Sequence, residues 1–154
     1  MADFAPRLFI DSAAIVAIGE GLIARTLPKA DWTHEAHLAA TCWIVRDRPD
    51  IVPDRDMGPI IRAYNASLGG VNDDHQGYHE TITRAFIHAI RLHLAEEGQG
   101  ALPLHRCVNA LLQSPRGQRD WPLGHYSRDL LFSVEARRNF VAPDLAPLDP
   151  LPTL

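Results

Sequence analysis

The sequence predicts an all-α fold: a single-domain bundle of about six helices, followed by an extended, proline-rich C-terminal tail. Three observations carry that prediction. Apolar residues recur at intervals of three and four in successive segments, the spacing that lines one face of a helix. No segment shows the sustained apolar–polar alternation of a half-buried strand. Each periodic segment is bounded by a good capping residue, a proline or a glycine, the signals that start and stop helices.

The first helix is expected over Ser12–Thr26, with Asp11 or Ser12 as N-cap and Pro28 just past its end. The second starts at Thr33, a favoured cap, with Asp31 adding negative charge near the positive end of the dipole. It should stop near Asp47, ahead of Pro49. The following DRPDIVPDRD has two prolines and four aspartates and reads as a loop. The third helix is expected over Met57–Leu68, closed by Gly69 and Gly70, which suit a left-handed C-terminal cap.

VNDDHQG then reads as a turn. The longest helix is expected from Gly77 to Glu97, with Ile82, Phe86, Ala89, Ile90 and Leu94 at helical spacing. A fifth runs from Pro103 or Leu104 to Gln113, with Pro103 suited to a first turn. A sixth runs from Ser127, its cap, to Asn139. The tail over 141–154 includes APDLAPLDPLPTL, with four prolines in thirteen residues, and cannot be helical.

The 154 residues fit one domain (1–154), long enough to bury a core without disulfides. A net charge of −4 argues against a nucleic-acid partner, which would need a basic surface. No run of 18 apolar residues occurs, so no membrane partner is expected. The N-terminus lacks a basic region followed by a clean apolar one, and Asp3, Asp11 and Glu20 interrupt it. Cys42 and Cys107 are distant in the chain, lie in apolar helical patterns, and read as reduced core thiols. A cytoplasmic protein is expected.

Two stretches concentrate the chemistry: WTHEAHL, with His34 and His37, and NDDHQGYHETIT, with His75 and His79. On a wheel of about 100° per residue, His34 and His37 share a face with Leu38, Thr41 and Val45, with Trp43 on the far side. His79 falls on a stripe with Thr83, Phe86, Ile90 and His93, while His88 lies opposite and is expected in solvent. His93 is about 21 Å further along the axis than His79 and cannot share a site with it. His75 precedes the helix in a glycine-containing turn. Both pairs sit at helix starts, where exposed N–H groups disfavour imidazolium and favour the neutral, metal-binding form.

His34, His37 and His79 are therefore the candidate metal ligands, for Zn, Fe or Mn. Glu80 is the candidate acid or base and Tyr78 a hydrogen-bond donor to the reacting group. Glu35 falls on the other side of its helix from the two rings. HEAH is not the zinc-protease motif, which needs its histidines four apart. The bland alternative is that such histidines are satisfied core residues that knit the bundle together. The segment containing His125, Arg128, Arg137 and Arg138 reads as a solvated helix whose arginines pair with local aspartates or with a ligand anion. An exposed Trp43 would point to an interface.

WTHEAHL, YHETIT and YSRDLLFSVEARRNFVAPDL together resemble an uncharacterised group of small bacterial helical proteins, over Trp32 to about Leu145. The resemblance implies importance for His34, His37, Tyr78, His79, Glu80, Thr81, Arg137, Pro143 and Asp144. It implies no activity. A weaker likeness is to metal-binding helical bundles of the DNA-damage-inducible type, which take three histidines from different helices. Their paired histidines come late in the chain, whereas one pair here comes early. Two functional expectations follow. One is a divalent-metal site supporting hydrolysis or group transfer. The other is a non-catalytic pocket for a small-molecule ligand or partner, with structural histidines.

Overall fold

The computed structural model describes residues 5–152. The two ends of the chain, residues 1–4 and 153–154 of the expected tail, lie outside that range. Among the described residues there are seven α-helices and no strand: α1 (Ser12–Ala24), α2 (His34–Asp47), α3 (Pro53–Ser67), α4 (Glu80–Ala95), α5 (Leu104–Gln113), α6 (Arg128–Leu131) and α7 (Val134–Arg138). Short 3-10 turns fill several of the connections.

α2 is the centre of the bundle. It starts where Thr33 caps it, the hydroxyl accepting from the Ala36 N–H at 3.1 Å. α1 packs most extensively on α2, and α2 next on α4. Of the ten positions from Glu35 to Ile44, only His37 is outside the buried class. That helix is enclosed on nearly all sides, so one wheel face does not describe it. Trp43, expected on the far side, is 6% exposed. It fits because α1 has no side chain at Gly19: a Cβ there would lie 2.2 Å from Trp43 Cε3. Burying an aromatic ring of this size is among the larger single contributions a small core receives.

Three helix boundaries differ from expectation, each for a local reason. α3 begins at Pro53, inside the stretch read as a loop. Proline at the first position has no N–H to leave unsatisfied. Asp54 and Asp56 then complement the dipole, and Asp56 accepts from the Val52 N–H at 2.8 Å. α4 begins at Glu80, not Gly77. The expected last helix is two short ones, broken at Phe132 and Ser133, where the Ser133 hydroxyl accepts from the Ala136 N–H and restarts the helix.

The tail lies extended over the bundle and is fastened by backbone hydrogen bonds. The Tyr126 hydroxyl donates to Val141 O at 2.7 Å. The Thr81 hydroxyl donates to Asn139 O and accepts from the Val141 N–H. The Ser127 N–H donates to the Asp144 carboxylate, and the His125 Nδ1–H to Ala146 O. His88, expected in solvent, is half-buried under this strap and donates from Nε2 to Asp149 O. No helix among the described residues is long and apolar enough to cross a membrane.

Candidate functional site

At the start of α2, the two histidines have different partners. The His34 Nε2–H donates to Gly117 O at 2.8 Å, and the ring meets Phe86 edge-on at 5.6 Å. Gly117 has to be glycine, because a Cβ would lie 2.1 Å from Leu111 O. His37 stacks on Trp32 at 3.6 Å, and its ring nitrogens have no protein hydrogen-bond partner among the described residues. Burial lowers the pKa of both rings, that of His37 to about 3, with the neighbouring His34 adding to the effect. Both imidazoles are neutral in the folded chain at pH 7. Glu35 is buried, with the Arg119 guanidinium at 3.9 Å.

At the start of α4, His79 is the N-cap. Its backbone is extended, with φ −131° and ψ 110°, so its side chain does not follow the helical wheel. The ring Nδ1 accepts from the Ile82 N–H at 3.1 Å, and Nε2–H donates to Leu131 O at 2.7 Å. Those two bonds use both nitrogens and define the neutral tautomer. Burial is the main cause that keeps its pKa low, and Arg137 pushes the same way. Thr81, in the first turn of α4 and away from that stripe, is fully buried.

The three histidines are therefore not assembled as a ligand set. Among the described residues no group of three or more His, Cys, Asp or Glu is placed to hold a metal ion. The chemistry of the donors agrees with this. One nitrogen of His34 and both of His79 are engaged by the backbone, which leaves His37 as the open imidazole.

A different group gathers around Tyr78. A cleft of about 130 Å³ is lined by Arg62, Asn72, Asp73, Asp74, Tyr78, Arg137 and Arg138. Its walls are built by the loop between α3 and α4. Asn72 organises that loop: its Oδ1 accepts from Asn65 Nδ2 and from the Tyr78 N–H, and its Nδ2 donates to Arg62 O. Gly77, at φ +81°, turns the chain into Tyr78, and a Cβ there would meet Val71 O at 2.4 Å. α7 closes the cleft. Arg137 Nη1 donates to Gly77 O at 2.9 Å, and Arg138 binds Asp74 through two hydrogen bonds of 2.6 Å.

Within the cleft the Arg62 guanidinium lies over the Tyr78 ring, 4.6 Å from its centroid. The Tyr78 hydroxyl donates to Glu80 Oε1 at 2.6 Å. Burial first, and then that carboxylate, push the Tyr78 pKa up, so the phenol keeps its proton. Asp73 is engaged by its own turn, accepting from the His75 and Gln76 N–H groups. Arg62 and Arg137 have no carboxylate within 4 Å among the described residues.

Of the sequence candidates, Tyr78 and Arg137 thus reach one cleft, with Glu80 bonded to Tyr78; His34 and His37 lie together elsewhere, at the start of α2. Arg62 and Asn72 were not anticipated. Only the loop geometry identifies them, because Arg62 is an exposed helix residue in sequence terms and Asn72 reads as an ordinary turn residue. Comparison with protein-family models, with curated proteins and with solved structures gave no match.

Proposed function

We propose that the protein is a non-catalytic binding protein for a small anionic molecule, held in the cleft between α3, the Asn72–Gly77 loop and α7. One observation carries this reading: two guanidinium groups, Arg62 and Arg137, reach the same cleft without a carboxylate partner among the described residues. Three arginines there face two aspartates, and one of those aspartates is already bonded by Arg138. A carboxylate or phosphate would complete the pairing of guanidinium groups that the chain leaves open. The neutral Tyr78 ring supplies an apolar wall on which Arg62 is stacked. Its hydroxyl and Glu80 satisfy each other, which suits a positioning role more than proton transfer to a substrate.

Thermal unfolding with inorganic phosphate and with short dicarboxylates, at constant ionic strength, tests the proposal. Ligand at a hundredfold excess over its Kd stabilises by about 2.7 kcal/mol, a rise of roughly 5–10 °C for a domain of this size. The Arg62→Met variant should lose most of that rise. Absence of any shift, or an equal shift in the variant, would overturn it. Elemental analysis of tag-free protein addresses the metal reading at His34, His37 and His79. About one equivalent of Zn, Fe or Mn per chain would replace the binding proposal with a metal site.

A further inference from the structure

α7 is one wall of the cleft, because Arg137 and Arg138 line it. The helix has little to hold it there by itself. Five residues are too few for a helix to be stable alone. Ala136 is the only one of the five that is buried. The Arg138–Asp74 pair is 60% and 38% exposed, and ion pairs so placed contribute little.

The chain that leaves α7 supplies the missing fastening. Thr81, fully buried in the first turn of α4, grips it twice. Its Oγ1 donates to Asn139 O at 2.8 Å and accepts from the Val141 N–H at 3.2 Å. Asn139 is the C-cap of α7, so this grip lands on the end of the helix. Further on, the Tyr126 hydroxyl holds Val141 O, and the Leu145 and Ala146 N–H groups reach His125 O. Asp144 takes the Ser127 N–H, and His88 Nε2–H reaches Asp149 O. None of these partners lines the cleft. Apolar burial contributes less: Phe140 is 42% and Leu145 61% exposed. A segment docked by hydrogen bonds with little burial opens locally while the core stays folded.

We propose that residues 139–149 are a regulatory strap for the cleft: their docking holds α7, with Arg137 and Arg138, in place as its wall, and their release lowers anion affinity. That regulation rests on the cleft being an anion site. With the strap docked, Thr81 fixes Asn139 and Arg137 stays bonded to Gly77 O. With the strap released, α7 loses its C-terminal fastening, and Arg62 on α3 is the unpaired guanidinium still held at the cleft. An anion that contacts Arg137 binds the docked state better and therefore favours docking; the coupling is equal in both directions. Pro143, Pro147 and Pro150 keep the strap extended after release. A partner groove that takes a proline-rich segment therefore competes with the anion.

Amide hydrogen exchange on the full chain, read residue by residue, tests the clamp without ligand. Tyr126→Phe and His88→Ala each remove one strap bond made from outside the cleft; His88 is only half-buried, so its loss leaves the fold intact. Losing one hydrogen bond should speed exchange at the Leu145 and Ala146 amides roughly three- to tenfold. The Arg137 and Asn139 amides, bonded to Ser133 O and Glu135 O, should speed up with them while α5 is unchanged. Faster exchange in the strap with Arg137 and Asn139 unchanged would overturn the proposal. So would strap exchange unchanged in both variants. Inorganic phosphate at constant ionic strength then reads the coupling. Saturating phosphate should slow exchange at Leu145 and Ala146 in the unmodified chain, and its Kd should rise about threefold or more in the variants. An unchanged Kd in a variant whose strap exchanges faster overturns the regulation. If phosphate does not bind the unmodified chain, the anion reading fails and the regulation with it, while the exchange data still decide whether the strap holds α7.

Discussion

The starts of α2 and α4 carry the same kind of sequence: an aromatic residue, a capping position and a histidine whose ring donates to a distant backbone carbonyl. His34 reaches Gly117 and His79 reaches Leu131. In both places an imidazole pins a later segment of the chain to a helix start. Their surroundings differ. Around the start of α2 the neighbours are Trp32, Phe86 and buried alanines, and Glu35 is itself enclosed. Around α4 the neighbours are Arg62, Arg137 and Glu80, at the edge of an open cleft. The difference teaches that a histidine motif marks where segments are joined, while the residues beside it decide whether the joint is also a site.

That comparison can be broken at its most constrained point. Gly117→Ala drives a Cβ into the backbone at Leu111 and displaces the carbonyl that His34 holds. We expect a loss of about 3 kcal/mol in urea unfolding, at the upper end of overpacking effects because backbone has to move. A loss below about 1 kcal/mol would mean that the 3-10 turn at Gly117 is not rigidly docked on α2.

Next in size is the contrast between His79 and His37. His79→Ala removes a cap and leaves Leu131 O without its donor, for a cost of about 2 kcal/mol. His37→Leu removes a ring with no hydrogen-bond partner among the described residues, and stability should change by less than about 1 kcal/mol. Equal losses in the two variants would erase the distinction between the two helix starts.

The smallest effect per step is on pH. His37 binds protons less readily folded than unfolded, because its pKa falls from 6.5 to about 3. Between those values the unfolded chain holds more protons, so stability falls as pH falls. The slope approaches about 1.4 kcal/mol per pH unit for this group. His34 and His79 act in the same direction and His93 in the opposite one. Denaturant unfolding from pH 7 to pH 4.5 should show stability falling, with a shallower slope in His37→Leu. An unchanged slope in that variant would assign the effect elsewhere.

Much of the fold was legible in local chemistry. Thr33, Asp11 and Ser127 cap helices as their side chains predict, because capping depends on a few adjacent residues. α5 needed only its apolar period and Pro103. The misread boundaries share one cause. Pro53, His79 and Ser133 each stand where a residue that ends a helix can also begin one, and neighbouring segments decide between the two. Tyr78 and Glu80 were found as candidates from their place beside His79, but their bond to each other depends on an irregular first turn that a regular wheel does not contain.

The sequence by itself determined that this chain is helical and where most helices start. Those properties follow from interactions within a few residues. Only the tertiary structure decided that His34 and His79 fasten backbone, that Arg62 and Arg137 share a cleft, and that Cys42 and Cys107 enter one core cluster. Each joins residues far apart in the chain, through a loop set by Asn72 or a helix crossing set by core volume. No periodicity along one segment encodes such a meeting, because it depends on how the segments fit together.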